Sequence, residues 1–314
     1  MQNSFDPQNN QVPKNRVHNP DSAPAPAAAE PDPTICPARQ LQNLVRVDLP
    51  GVSFSTTHRR NLIKLILDSL APGATAGLMV GYINPHVYVL ATNTDSRNQP
   101  DEGAEDIARF LSQADLVSID GTGIQVGLFF RQRRWLQRVV AEHLFNDLLA
   151  NISHPIRAVL IGAGPGIADK AAAAMHECNP QFEIIATMDG YGDYADYQQM
   201  LQEHADVDLV LIGAGTPRSE RIALDAREIS PRSVIFHIGG GTLNTWAGTK
   251  QRAPRWLSFC GCEWLHRMMF EPHTRSRYTS GGRVFLQRFF SSTKNSGRES
   301  KPTDSVASSN PDMR

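Results

Sequence analysis

The stretches VLIGAGPG (residues 159–166), VLIGAGTP (210–217) and IFHIGGGT (235–242) each end an apolar run on a group of glycines. Apolar runs without polar alternation are expected of strands buried on both faces of a parallel sheet. Glycine at their carboxyl ends suits a strand turning into a helix N-terminus, where main-chain N–H groups and the helix dipole favour anions. A fourth stretch, SIDGTGIQ (118–125), carries the run Leu116-Val117-Ser118-Ile119 into Asp120, Gly121 and Gly123. It reads either as a tight turn after a buried strand or as an acid or base at the mouth of an α/β sheet.

Working outward, GLMVGYI (77–83) and HVYVLAT (86–92) read as strands, and AEDIARFLSQA (104–114) as an amphipathic helix. A longer helix is expected around WLQRVVAEHLFNDLLAN (135–151). Helices IADKAAAAMHEC, YADYQQMLQEHA and RSERIALDARE then alternate with strands RAVLIG, FEIIATM, DLVLIG and SVIFHIG. This rhythm predicts a Rossmann-like α/β fold, a parallel sheet with helices on both faces. Residues 1–40 (NPDSAPAPAAAEPDP within them) and 291–314 hold too few apolar residues to offset ordering entropy and read as disordered. A core over 41–248 and a C-terminal basic, amphipathic helical appendage over 249–290 remain.

The chain has 314 residues, 40% hydrophobic and 20% charged, with net charge -1, which excludes a general nucleic-acid binder. Four cysteines (Cys36, Cys178, Cys260, Cys262) do not make a disulfide framework for a chain this long, so a reducing cytosol is expected. No apolar run is long enough to span a bilayer, and the N-terminus lacks the apolar core of a signal peptide.

Several motifs have competing readings. GAGPG (162–166), with Glu183 and Asp189 about 20 residues on, invites a dinucleotide site, but its spacing is not G-x-G-x-x-G. Asp206 and Asp208 form a D-x-D that precedes a strand, at the wrong end of the sheet for a metal in the glycine-lined crevice. Cys260, Cys262, His266 and His273 fit no common zinc spacing. Pro217 is expected in the first turn of a helix, with Arg218 and Glu220 facing the crevice. There the planar guanidinium suits a phosphate. The segment from Lys250 to Phe290 interleaves Arg252, Arg255, Arg267, Arg275, Arg277, Arg283 and Arg288 with Trp256, Trp264, Phe270, Phe285, Phe289 and Phe290. That composition suits an anionic membrane surface, an RNA or a diphosphate.

ADLVSIDGTGI, VLIGAGPGIADKAA, LVLIGAGTPRSE, HIGGGTLNTWAGTKQRAPRW and CEWLHRMMFEPHTRSRY, in this order, resemble the WecG/TagA/CpsF glycosyltransferases (glycosyltransferase family 26) over about residues 50 to 280. The resemblance implies an inverting, metal-independent enzyme without a cofactor. Such an enzyme moves N-acetylmannosamine, its uronic acid or glucose from a UDP-sugar to a polyprenol-diphosphate-linked saccharide. It implies Asp120 as general base. For the donor it implies Asn84, Gly121, Gly123, Gly164, Gly213, Gly215, Thr216, Pro217, Arg218, Ser219, Glu220, Gly239, Gly240 and Asn244, the glycines letting the substrate come close. Arg252, Arg255, Arg267, Arg275 and Arg277 would meet the acceptor diphosphate or the membrane, at the inner face of a bacterial plasma membrane. The implied partners are donor, acceptor and anionic membrane surface, with no nucleic acid; a homo-oligomer stays open. Three positions depart from the family pattern: Arg218-Ser219 for Lys-Gln, Leu243-Asn244 for Phe-Asp, and Tyr82 for Thr. A nucleotide-binding oxidoreductase and a catalytically dead membrane-associated member are the alternatives.

Overall fold

The computed structural model describes residues 44–93, 103–250, 268–269, 275 and 279–291. Of the two terminal segments read as disordered, all but Ser291, which ends a helix, lie outside the described residues, as do Arg252, Arg255, Arg267 and Arg277 and the cysteines and histidines at 260, 262, 266 and 273.

The described chain opens with a hairpin, β1 (Val45–Leu49) and β2 (Val52–Thr56), paired antiparallel across Pro50 and Gly51. Then follow α1 (Arg59–Leu70), β3 (Leu78–Ile83), α2 (Pro85–Ala91), α3 (Ala104–Gln113), β4 (Leu116–Ile119), α4 (Thr122–Gln132) and α5 (Ala141–Asn151). The regular part runs β5 (Ile156–Gly162), α6 (Ile167–Cys178), β6 (Phe182–Met188), α7 (Tyr194–Glu203), β7 (Leu209–Gly213), α8 (Arg218–Ile229), β8 (Val234–His237) and α9 (Gly240–Trp246). A last helix, α10, spans Ser280–Ser291.

Six strands form one sheet in the order β4-β3-β8-β7-β5-β6, every pairing parallel. One face is covered by α1, α5, α6 and α9 through Leu62, Phe145, Met175 and Leu243. The other is covered by the hairpin, α2, α3, α7 and α8 through Phe54, Tyr88, Phe110, Tyr197 and Ala223. Neighbouring strands β5 and β7 therefore lead into helices on opposite faces, α6 and α8. Such a divergence opens a crevice at the carboxyl ends of the strands, where open α/β sheets bind their ligands.

Two local readings are corrected. HVYVLAT is helical, not a strand: Asn84 caps α2, its side-chain oxygen accepting from the Val87 N–H at 3.0 Å, with Pro85 at the first helical position. Those start signals outweigh the β preference of Val87, Tyr88 and Val89. The helix expected from Trp135 begins only at Ala141. Before it, α4 ends at Arg133 in the left-handed region, and the Val139 N–H is taken by the Ile119 carbonyl.

Helix α10 docks on α2 and α4. Phe285 and Phe289 are buried against Tyr88, and a Cβ at Gly127 would lie 2.6 Å from the Phe289 ring. Arg288 donates to the Val89 carbonyl and to Asn93 Oδ1, both at 2.7 Å, closing the end of α2. Of the appendage aromatics, these two phenylalanines pack into the core instead of meeting a membrane.

Candidate functional site

The site is built where β4, β3, β8, β7 and β5 end side by side. Ile83 and Ile119 are in register, so the next residues, Asn84 and Asp120, leave the sheet as neighbours, and the Asp120 N–H donates to the Ile83 carbonyl at 2.9 Å. Asp120 is half-buried. Because Asn84 Oδ1 caps α2, its amide NH2 is the group it can offer a ligand.

The turn expected after Asp120 is the start of α4: Gly121 is its cap, and Thr122 and Gly123 are its first helical residues. A Cβ at Gly121 would lie 2.8 Å from Pro85 Cδ, and one at Gly123 would lie 2.7 Å from Pro85 Cγ. These glycines admit the Asn84-Pro85 corner to Asp120. Arg138, which sequence reasoning passed over, reaches the same place and donates to Thr122 Oγ1 at 3.2 Å. The basic run RQRRWLQR was the available signal.

The glycines of β5, β7 and β8 divide into two kinds. Gly162, Gly213 and Gly240 pack on one another: a Cβ at Gly240 would stand 2.8 Å from the Gly213 carbonyl, and one at Gly213 would stand 2.8 Å from Leu243 Cδ1. Gly164 and Gly215 are open instead, Gly164 meeting only Ile167 at 3.9 Å and Gly215, at φ +83°, meeting nothing within 4 Å. Gly239, at φ +77°, lies beside the Tyr82 hydroxyl, 3.3 Å from where its Cβ would be. From Asp120 to the end of β5 the crevice crosses four strand spacings, roughly 19 Å, room for a nucleotide at one end and a sugar at the other. Helices α4, α6 and α8 start along it, so their N-terminal dipoles favour an anion there.

The start of α8 differs from the expectation. Pro217, joined to Thr216 by a cis peptide, caps the helix. Arg218 donates to the Gly192 carbonyl and to the Tyr197 hydroxyl at 3.3 Å, with its guanidinium 5.3 Å from the Tyr194 ring centre. Ser219 and Glu220 do not face the crevice but are buried beneath it. Thr216 Oγ1 donates to Glu220 Oε1 at 2.8 Å. Asn244 donates to the Gly240 carbonyl at 2.8 Å, and its own carbonyl takes the Thr249 and Lys250 N–H groups, fastening the turn that ends the core.

Glu220 lies 4.0 Å from His237, which is fully buried against the rings of Tyr82 and Phe110. Burial pushes the Glu220 carboxyl up to about 7 and holds the His237 imidazole down at about 3. The imidazole is therefore uncharged near neutrality and the two do not form an ion pair, while the carboxyl passes from neutral acid to carboxylate around pH 7. Glu220 binds its proton more tightly folded than unfolded, so its contribution to stability is full below about 4.5 and falls as pH rises through 7. His237 has the opposite sign: its contribution is present above 6.5 and is lost as pH falls toward 3. Glu220→Gln is expected to remove the decline between pH 5 and pH 8, leaving the variant more stable at pH 8 by on the order of 2 kcal/mol. Thermal unfolding across that range checks it; a decline equal to the wild type's would contradict the buried-acid assignment.

Asp206 and Asp208 lie at the amino end of β7, bonded to Arg157 at 3.2 and 2.7 Å, opposite the crevice. Glu183 is exposed near the start of β6, and Asp189, just past its carboxyl end, accepts from the Tyr191 N–H at 2.8 Å. Among the described residues no three His, Cys, Asp or Glu side chains cluster as a metal site. Arg275 is exposed and donates to the Met268 carbonyl at 3.0 Å.

Comparison with known proteins adds the chemistry of relatives. The N-acetylglucosaminyldiphosphoundecaprenol N-acetyl-beta-D-mannosaminyltransferases of Staphylococcus aureus strains MRSA252 and NCTC 8325 are each 24% identical to this chain over 235 residues, 74% of this chain and 87% of theirs. The model of the glycosyl transferase WecG/TagA/CpsF family matches residues 47–299. Over that span, which takes in the whole sheet and the Asp120 crevice, the chain belongs to the WecG/TagA/CpsF family of glycosyl transferases.

Proposed function

We propose that this enzyme transfers a sugar, N-acetylmannosamine first among the candidates, from a UDP-sugar to N-acetylglucosaminyl-diphospho-polyprenol in cell-surface polysaccharide synthesis. The observation that carries the reading is the pairing of Asp120 with Asn84 at one end of a glycine-lined crevice, in a chain whose relatives bear that acceptor and that sugar in their names. Asp120 accepts the proton of the acceptor hydroxyl as its oxygen attacks the anomeric carbon. The bond from that carbon to the UDP oxygen breaks on the opposite face, so the configuration inverts. Asn84 orients the sugar through its amide NH2. The leaving UDP, lying along the crevice, is met by the Arg138 guanidinium at the Asp120 end and by the helix N-termini near Gly215 and Gly164 toward the other.

This reading expects no resident metal. It sets the enzyme at the inner face of the membrane, with Arg252, Arg255, Arg267, Arg275 and Arg277 toward the acceptor diphosphate or the lipid. No helix among the described residues is long and apolar enough to cross a membrane. UDP release measured with UDP-N-acetylmannosamine, UDP-N-acetylglucosamine and UDP-glucose, each with and without the lipid-linked acceptor, is expected to be acceptor-dependent with one donor. Release from none of the three would overturn the donor assignment.

A further inference from the structure

Six of the eight large hydrophobic side chains exposed among the described residues lie on two adjoining segments. Val126, Phe129, Phe130 and Trp135 belong to α4 and the loop after it, and Leu286 and Phe290 to α10. Phe130 and Trp135 are 61% and 64% exposed. Both pack edge-on against Phe129, at ring separations of 5.5 and 5.8 Å, which holds them as one ridge. The segments are fastened together: Arg131 donates to the Phe289 carbonyl at 3.0 Å beneath the ridge.

The charge around this ridge is predominantly positive. Residues 122–140 contain Arg131, Arg133, Arg134 and Arg138 and no Asp or Glu, and α10 contains Arg283 and Arg288 and no acid, in a chain of net charge -1. The nearby Asp48, on the hairpin, has its carboxylate 3.7 Å from Arg46. Exposed aromatics ringed by arginine match the boundary between headgroups and acyl chains of an anionic bilayer. They match a second copy of this chain poorly, because an isologous contact would set arginines against arginines.

We infer that this surface docks on an anionic membrane, with Phe130 and Trp135 entering at headgroup depth. The inference rests on the reading of a lipid-linked acceptor and deepens it. Helix α4 starts two residues after Asp120, and Phe130, eight residues past Thr122, stands about 12 Å along the helix from that start. The core would thereby contribute its own lipid contact, beside that of the appendage arginines.

The full chain is tested by co-sedimentation with vesicles of phosphatidylcholine alone and of phosphatidylcholine with phosphatidylglycerol. The vesicles contain neither donor nor acceptor, so the result stands whatever the sugar chemistry proves to be. Phe130→Ser combined with Trp135→Ser is expected to weaken binding to the anionic vesicles by about tenfold or more. Turnover on a short-chain, water-soluble acceptor is expected to stay unchanged. Arg133→Glu combined with Arg134→Glu is expected to abolish the preference for phosphatidylglycerol, a second test independent of the aromatic changes. Wild-type binding by both double variants would overturn the inference. So would a Phe130→Ser/Trp135→Ser protein that binds vesicles normally but falls from dimer to monomer in sedimentation velocity, which would assign the ridge to self-association.

Discussion

Asp120→Asn is expected to lower turnover by about a hundredfold or more, the usual scale for loss of a general base, while the protein folds and binds UDP as before. The change is nearly isosteric, and main-chain bonds hold the local backbone. The Asp120 N–H bonds the Ile83 carbonyl, and the neighbouring corner is held by Gly121 against Asn84 and Pro85. The loss should fall on kcat, with donor affinity held, because the proton is taken only as the acceptor oxygen attacks. Asn84→Ala provides the contrast. It removes both the α2 cap and the proposed sugar contact, so stability and donor affinity should fall together. Full turnover by Asp120→Asn would end the assignment of the base.

Gly162→Ala is expected to destabilise the fold by about 3 kcal/mol or more, lowering the unfolding temperature by roughly 6–12 °C. Gly162 has φ +151°, and a Cβ there would overlap the backbone of Gly213 at the point where β5 and β7 part. The Ala163 N–H donates to the Gly213 carbonyl at 3.1 Å, and the Gly190 N–H donates to the Ala163 carbonyl at 2.8 Å. Separating the strand ends to admit a methyl group would strain all three loops. Gly164→Ala, two residues on, meets only Ile167 at 3.9 Å and should leave the unfolding temperature within a degree or two. Its expected effect is on UDP affinity, since it narrows the open part of the crevice. Differential scanning fluorimetry of the pair, with and without UDP, measures both; equal unfolding temperatures would contradict the division of the glycines into packing and open positions.

The parallel sheet was legible because its strands are apolar without alternation and each glycine cluster falls at a carboxyl end. The misread elements are those where local signals conflict. In α2 the β-prone Val87-Tyr88-Val89 sits behind a cap and a proline that decide for helix. In the segment from Trp135, helix-forming residues are held extended by a long-range bond to Ile119. The hairpin carries a signal of its own, since VRVDLPGVSFST alternates about Pro50-Gly51. At the site, Asp120 was readable from the strand that delivers it, but its pairing with Asn84 depends on the register of β3 and β4, which one strand alone does not carry. Glu220 was expected to face the crevice, yet it shares the buried stripe of α8 with Ala223 and Leu224, three and four residues on. A carboxylate on that stripe is the departure from pattern that could have announced the buried pair with His237.

The central claim is that this chain moves a sugar with inversion at the Asp120 crevice. Its most direct test is to characterise the lipid product made from UDP-N-acetylmannosamine and N-acetylglucosaminyl-diphospho-polyprenol by mass spectrometry and anomeric proton NMR. The account predicts a disaccharide lipid carrying one added β-linked N-acetylhexosamine, formed by the wild type and absent with Asp120→Asn. An α-linked product, or the same β-linked product made equally well by Asp120→Asn, would contradict it.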